Sequence, residues 1–177
     1  MNEADDLVAR GAEHQRAGRN ADAEALYRQA LQTRPQHPDA LHLLGVLAHQ
    51  SQEHRQAIEL ISRAISISPN VPDYYNSLGC AWRALGKLSD AAECLARCIE
   101  LHPDHYRAYN NLGNVFCDEG RFDDAIECYE SAIRLKPGYA EAHNNLAAAL
   151  ARDAKFGYQP AENDPAPPSS SPAAKKP

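Results

Sequence analysis

Pro35, Pro69, Pro103 and Pro137 recur at a constant interval of 34 residues, and no other feature of the chain restricts its fold as strongly. Gly11, Gly45, Gly79 and Gly113 keep the same interval, as do Ala23, Ala57, Ala91 and Ala125, and further down each unit Leu31, Ile65, Ile99 and Ile133. Columns in phase at one period mark an internal repeat, in which each unit buries its apolar face against its neighbours instead of in one shared core. With Ala4 as the first position, the units are 4–37, 38–71, 72–105 and 106–139. A fifth starts at Ala140, with HNNLAAAL at 143–150.

Each unit divides into two amphipathic helical stretches, in the fourth unit from about Arg107 to Asp118 and from about Asp123 to Leu135. Gly18, Gly86 and Gly120 stand where the first helix must end, Asn20, Ser89 and Asp123 read as N-caps of the second, and the prolines stop it. The recurrent Gly and Ala fit two helices in close approach, where added bulk would cost about 1–3 kcal/mol by overpacking.

The order aromatic-x-x-Leu-Gly, then Ala, an aromatic or aliphatic residue, Ala and Pro resembles the tetratricopeptide repeat. The fourth unit supplies Tyr109, Leu112, Gly113, Phe116, Phe122, Ala125, Tyr129, Ala132 and Pro137, and the third Tyr75, Leu78, Gly79, Trp82, Leu88, Ala91, Leu95 and Pro103. The resemblance covers 4–152 and implies an all-α, right-handed superhelical solenoid of antiparallel helix pairs. About four repeats are expected, with a capping helix over 140–152. Arg10, His14 and Asn20 depart from the pattern in the first unit, as an end repeat facing water should.

Asn110, Asn111 and Asn114 lie opposite the face formed by Tyr109, Leu112, Gly113 and Phe116 at helical spacing, and on that ground are expected to be outside the core. In a tetratricopeptide-like superhelix the first helices line a concave groove. The resemblance therefore places His42, His49, Asn76, Arg83, Asn110, Asn111, Asn114, Asn144 and Asn145 in that groove, with Cys80 and Cys117 beside them. One asparagine alone reads as solvated helix surface. A ladder in register, Asn76, Asn110 and Asn144 with Asn111 and Asn145, could pair both donor and acceptor with the backbone of an extended peptide. His42 and His49, seven apart on one face, could address one ligand and would then make binding depend on pH between about 5 and 8.

The function expected is a protein or peptide interaction module. NNLGN and NNLAA are also similar to the superhelical arm of O-GlcNAc transferase and its bacterial relatives, where the matching ladder positions are Asn111 and Asn145 and where Ser77 and Leu43 would break the ladder. A substrate-recognition arm for such a glycosyltransferase is thus one alternative, and a self-associating scaffold another. The carboxylate clamp of chaperone-binding relatives needs Lys and Arg beside Asn. The corresponding residues are Val8, Ala12, Leu43, Asp73 and Ser77 or, one unit on, His42, Val46, Ser77, Arg107 and Asn111, so chaperone-tail binding is not expected.

A net charge of −6 without a Lys/Arg cluster argues against nucleic acid or an anionic membrane as partner. No basic, apolar leader opens the chain and no run of about eighteen apolar residues occurs, so a cytoplasmic location is expected. Cys80, Cys94, Cys98, Cys117 and Cys128 fit free thiols inside helices. Cys98 stands in the column of Ala30, Ala64 and Ala132, which favours core packing over a metal site with Cys94, His102 and His105. No phosphate loop and no paired nucleophile and base stands out, so neither catalysis nor a cofactor is expected. The Pro-, Ala- and Ser-rich segment 153–177 is expected to be a disordered tail or linker.

Overall fold

The computed structural model describes residues 2–156, and over these the chain is entirely helical: α1 (Glu3–Arg16), α2 (Asn20–Thr33), α3 (Pro38–Gln50), α4 (His54–Ile67), α5 (Pro72–Ala84), α6 (Leu88–Leu101), α7 (Tyr106–Asp118), α8 (Phe122–Leu135) and α9 (Ala140–Phe156). Each of α1, α3, α5 and α7 packs chiefly on the helix that follows it. The hairpins then stack through α2 on α3, α4 on α5, α6 on α7 and α8 on α9. The first helices of successive units also meet directly, α1 with α3 and so on to α7 with α9. The core accordingly runs the length of the stack as linked clusters.

The glycine column shows why the hairpins close. A Cβ on Gly11 or Gly113 would lie 2.5 or 2.6 Å from Cε1 of Tyr27 or Tyr129 in the facing helix. On Gly45 or Gly79 it would lie 2.7 Å from the side chain of Ile61 or Leu95. These partners are buried, so the glycine is what lets a large side chain cross the helix interface. The turns follow an equally physical rule. Gly18, Gly86 and Gly120 have φ of 75°, 70° and 77°, and the next residue donates back to the carbonyl five positions earlier, as Arg121 does to Phe116 at 2.9 Å. In the second unit Gln52 takes this left-handed place at φ 66°, at a cost of roughly 1–2 kcal/mol relative to glycine.

The expected N-caps of the second helices are displaced. The capping positions are Arg19, Lys87 and Arg121, none with a side-chain cap, so Asn20 is already the first helical residue and Ser89 and Asp123 the second. The Schellman-type turn fixes the entry of the second helix through the backbone, and a capping side chain is not required. The prolines stand where expected, one residue beyond the C-caps Arg34, Ser68, His102 and Lys136. The final helix continues to Phe156, past the expected limit at 152 and into the first residues of the expected tail; the remainder, 157–177, lies outside the described residues.

Candidate functional site

The first helices carry a repeated polar connection between fifth and sixth positions of successive units. His42 Nε2 and Ser77 Oγ are 2.9 Å apart, Asn111 Nδ2 donates to Asn76 Oδ1 at 2.9 Å, and Asn145 Nδ2 donates to Asn110 Oδ1 at 3.0 Å. Each rung spans 35 residues in sequence, one repeat plus one residue. Ser77, expected to break a peptide-facing ladder because it carries no carboxamide, takes part in this separate inter-helix connection. Leu43, at the sixth position of the second unit, packs against the core cluster that contains Val8.

Asn110 overturns the expectation that the asparagines lie outside the core, because it is fully buried. Its Nδ2 donates to Glu141 Oε1 at 2.9 Å while its Oδ1 receives Asn145. The helical wheel misled because a solenoid helix has more than one buried face: one turns to its own hairpin partner and another to the first helix of the next unit. Asn110 lies only about 100° round from Tyr109, on that second face. It is a structural rung and not a ligand contact.

The other asparagines keep unspent hydrogen-bonding capacity. Asn111 and Asn76 are half-buried, and their rung leaves the Asn111 Oδ1 acceptor and the Asn76 Nδ2 donor without a protein partner among the described residues. Asn114 Oδ1 receives both Tyr129 Oη at 2.8 Å and Asn145 Nδ2 at 3.1 Å, leaving its Nδ2 group. Asn145 is left with its Oδ1, and Asn144, exposed on α9, has both functions unpaired. Arg83 makes an ion pair with Asp118 of the next unit at 2.6 Å and so sits beside the ladder with its charge already matched.

The two histidines are not brought to one ligand. His42 stacks on Tyr74 with ring centroids 4.6 Å apart, and burial pushes its pKa down to about 4 against the opposing pull of Asp73 and Asp39. His49 turns to His54, with Nδ1 atoms 3.1 Å apart, and burial followed by the His54 charge lowers its pKa as well. Both therefore favour the neutral imidazole at neutral pH. The expected titration of a shared ligand between about pH 5 and 8 loses its basis at His42. Cys80 is held as the thiol, its pKa pushed up to about 11 chiefly by burial, so it is no nucleophile. Cys98 is completely buried in the alanine column. Among the described residues no three His, Cys, Asp or Glu side chains are grouped to hold a metal ion.

A second inter-repeat device escaped the sequence reading. His37 and His105 each accept a backbone N–H at Nδ1, from Ala40 and Ala108, and so cap α3 and α7. Their Nε2 atoms each lie 3.0 Å from a carboxylate on the first helix of their own unit, Asp5 and Asp73 respectively, so each histidine ties that helix to the first helix of the next unit. At His105 the Asp73 carboxylate pulls the imidazole pKa up to about 10, while the Ala108 N–H at 3.1 Å calls for a lone pair on Nδ1; the geometry favours the Nε2–H tautomer there. The signal was available as a His 32 residues after an Asp in alternate units.

Four family models match. Tetratricopeptide repeat models cover residues 15–79, 72–105 and 94–127, and a TPR repeat model covers 113–153. Comparison with curated protein sequences gives no match. Among solved structures, a crystal structure of MamA protein is 26% identical with a TM-score of 0.71, over 85% of this chain and 82% of that one. TTC0263, a thermophilic TPR protein in Thermus thermophilus, is 24% identical with a TM-score of 0.75, over 86% and 89%. The first TPR of Spaghetti (RPAP3), bound to the HSP90 peptide SRMEEVD, is 20% identical with a TM-score of 0.64, over 66% and 93%. Together the family models run without a break from residue 15 to residue 153 over the stacked hairpins, and the chain belongs to the tetratricopeptide repeat family.

Proposed function

We propose that this chain is a non-catalytic protein-interaction module that holds an extended peptide segment of a partner protein along its first helices, with Asn76, Asn111, Asn114, Asn144 and Asn145 as the contacts. The observation that carries this reading is the half-used ladder. The rungs spend one function each of Asn76, Asn111 and Asn145, and Asn114 spends its Oδ1, so that each side chain is oriented while its other function keeps no protein partner among the described residues. Donors and acceptors held in place by the fold lose little freedom on binding, and they can meet the N–H and C=O groups of a peptide backbone whatever its side chains.

The family neighbour seen with an HSP90 peptide shares the fold at 20% identity. The peptide proposed here differs in kind, because the basic clamp residues for an acidic chain end are absent at Val8, Ala12, Leu43, Asp73 and Ser77. The groove is neutral and amide-rich, and Arg83 is already paired with Asp118.

The test is affinity capture from source-cell lysate on the immobilised full chain, with mass spectrometry, comparing wild type with the Asn111→Ala/Asn144→Ala double variant. Both positions have unpaired capacity, and neither is fully buried. Loss of specific partners from the variant is the expected result, with helical content retained and a melt lowered by no more than the about 0.5–1.5 kcal/mol of the Asn111–Asn76 rung. Equal capture by both proteins would remove the asparagines from the binding surface.

A further inference from the structure

The edge of the solenoid where first helices turn into second helices is not uniform. Between the second and third units it holds a depression of about 340 Å³ lined by Arg55, Ile58, Trp82, Leu85 and Lys87. This lies within the size range of small ligand pockets. The floor is apolar and unusually open: Leu85 is a large hydrophobic residue left 37% exposed, and Trp82 and Ile58 are half-buried. Two exposed cations stand over it, Arg55 on the first turn of α4 and Lys87 at the N-cap of α6, and neither has an ion-pair partner among the described residues.

The same place in neighbouring units is closed or reversed in charge. One unit on, Phe116 takes the place of Trp82, and Arg121, in the place of Lys87, lies over its ring at 4.2 Å. There Arg121 is also neutralised by Asp124 at 2.6 Å and Glu119 at 3.2 Å. Leu85 replaces that glutamate in the third unit, which removes a carboxylate and adds apolar floor. One unit back, the corresponding depression is only about 80 Å³ and is bordered by Glu24 and Glu53. Aromatic floor, extra aliphatic surface and unpaired positive charge thus coincide at one edge position, in a chain whose net charge is −6.

We propose that this edge pocket is a second docking site, distinct from the ladder, which takes a peptide segment of a partner protein bearing a bulky apolar side chain next to acidic residues. The apolar side chain lies on Trp82, Ile58 and Leu85, and the carboxylates meet Arg55 and Lys87. Trp and Arg are the residue types most often found to dominate binding at such contacts. The uncapped N-termini of α4 and α6 at Arg55 and Lys87 add a weak preference for negative charge.

Trp82 is the single tryptophan of the chain, so its fluorescence reports on this pocket alone. The full chain is titrated with the peptide acetyl-Gly-Leu-Phe-Asp-Glu-Gly-amide and with its counterpart carrying Lys-Lys in place of Asp-Glu. A saturable blue shift with the acidic peptide, weakened by salt and at least about tenfold weaker with the lysine peptide, is expected. The Arg55→Glu/Lys87→Glu variant, altered only at exposed positions, should reverse that preference with its helical melt unchanged. The ladder variant Asn111→Ala/Asn144→Ala should titrate like wild type, so failure here and failure of the groove reading are separable. No shift, equal shifts with both peptides, or indifference to charge reversal would overturn the proposal. So would a Trp82 shift that appears with protein concentration alone, which would assign the pocket to a second copy of the chain.

Discussion

Asn110 and Asn144 occupy the same column, one under a covering helix and one with none among the described residues, so replacing each by alanine makes an internally controlled experiment. At Asn110 the substitution removes the donor to Glu141 at 2.9 Å and the acceptor for Asn145 at 3.0 Å. A hydrogen bond to a charged group is worth about 1.5–3 kcal/mol net and a neutral one about 0.5–1.5 kcal/mol. Both should fall near the low end here. Glu141 is exposed and regains water, and Asn145 keeps its bond to Asn114 at 3.1 Å. Alanine returns up to about 0.7 kcal/mol in helix propensity, so Asn110→Ala should destabilise by about 1–2 kcal/mol. Since among the described residues α9 packs only on α7 and α8, the loss should appear first as fraying of that helix, its amide hydrogens exchanging about 10- to 30-fold faster. Asn144→Ala loses no hydrogen bond to the described residues and should be neutral or slightly stabilising. Urea melts followed by circular dichroism, with hydrogen exchange over Ala140–Phe156, decide the matter. Equal stability of the two variants within about 0.5 kcal/mol, with α9 equally protected, would refute the buried rung.

Three further results are expected. Gly113→Ala should cost about 1–3 kcal/mol, because its Cβ would meet Tyr129 Cε1 at 2.6 Å, whereas Gly138→Ala, with nothing within 4 Å, should be neutral or slightly stabilising; thermal melts of the pair check this. His42 has its pKa lowered from 6.5 to about 4, so the unfolded chain binds the extra proton between those values. Its contribution is complete above about pH 6.5 and lost as pH falls towards 4, at most about 3 kcal/mol. The difference in urea stability between wild type and His42→Gln should therefore shrink on acidification over that window, and a constant difference would contradict it. Arg83→Ala should cost less than about 1 kcal/mol and the loss should diminish in salt, since Arg83 and Asp118 are 38% and 41% exposed despite their short contact; a double-mutant cycle measures the coupling.

What the sequence made legible was whatever repeats. The helix pairs came within a residue of their expected bounds in the fourth unit, because Gly113, Ala125 and Pro137 each impose a local requirement that the column makes visible. The capping residues were misplaced because Asn20, Ser89 and Asp123 have the right chemistry one or two residues late, while the backbone turn through Gly18, Gly86 and Gly120 fixes the entry. The edge pocket at Trp82 could not be read from columns at all. It arises where Leu85 and Arg55 depart from the residues other units place there, and a departure gains meaning only once the residues meeting at that edge are known.

The doublets Asn110–Asn111 and Asn144–Asn145 find their reason in the same geometry. Because each rung spans 35 residues while the repeat is 34, the bond leaves one helix at its fifth position and reaches the next at its sixth. A helix in the middle of a ladder therefore needs two adjacent polar side chains, one bonding forward and one back. In α7, Asn110 bonds forward to Asn145 and Asn111 bonds back to Asn76. The forward residue ends up buried between first helices and the backward one keeps its outer function, so two neighbouring asparagines of like composition have opposite roles. In α9 the backward residue, Asn145, is engaged and the forward residue, Asn144, has no receiver among the described residues. In α7 the offset between bond and repeat is what separates the fully buried Asn110 from the half-buried Asn111, and it is visible neither in a single helix nor in a single column.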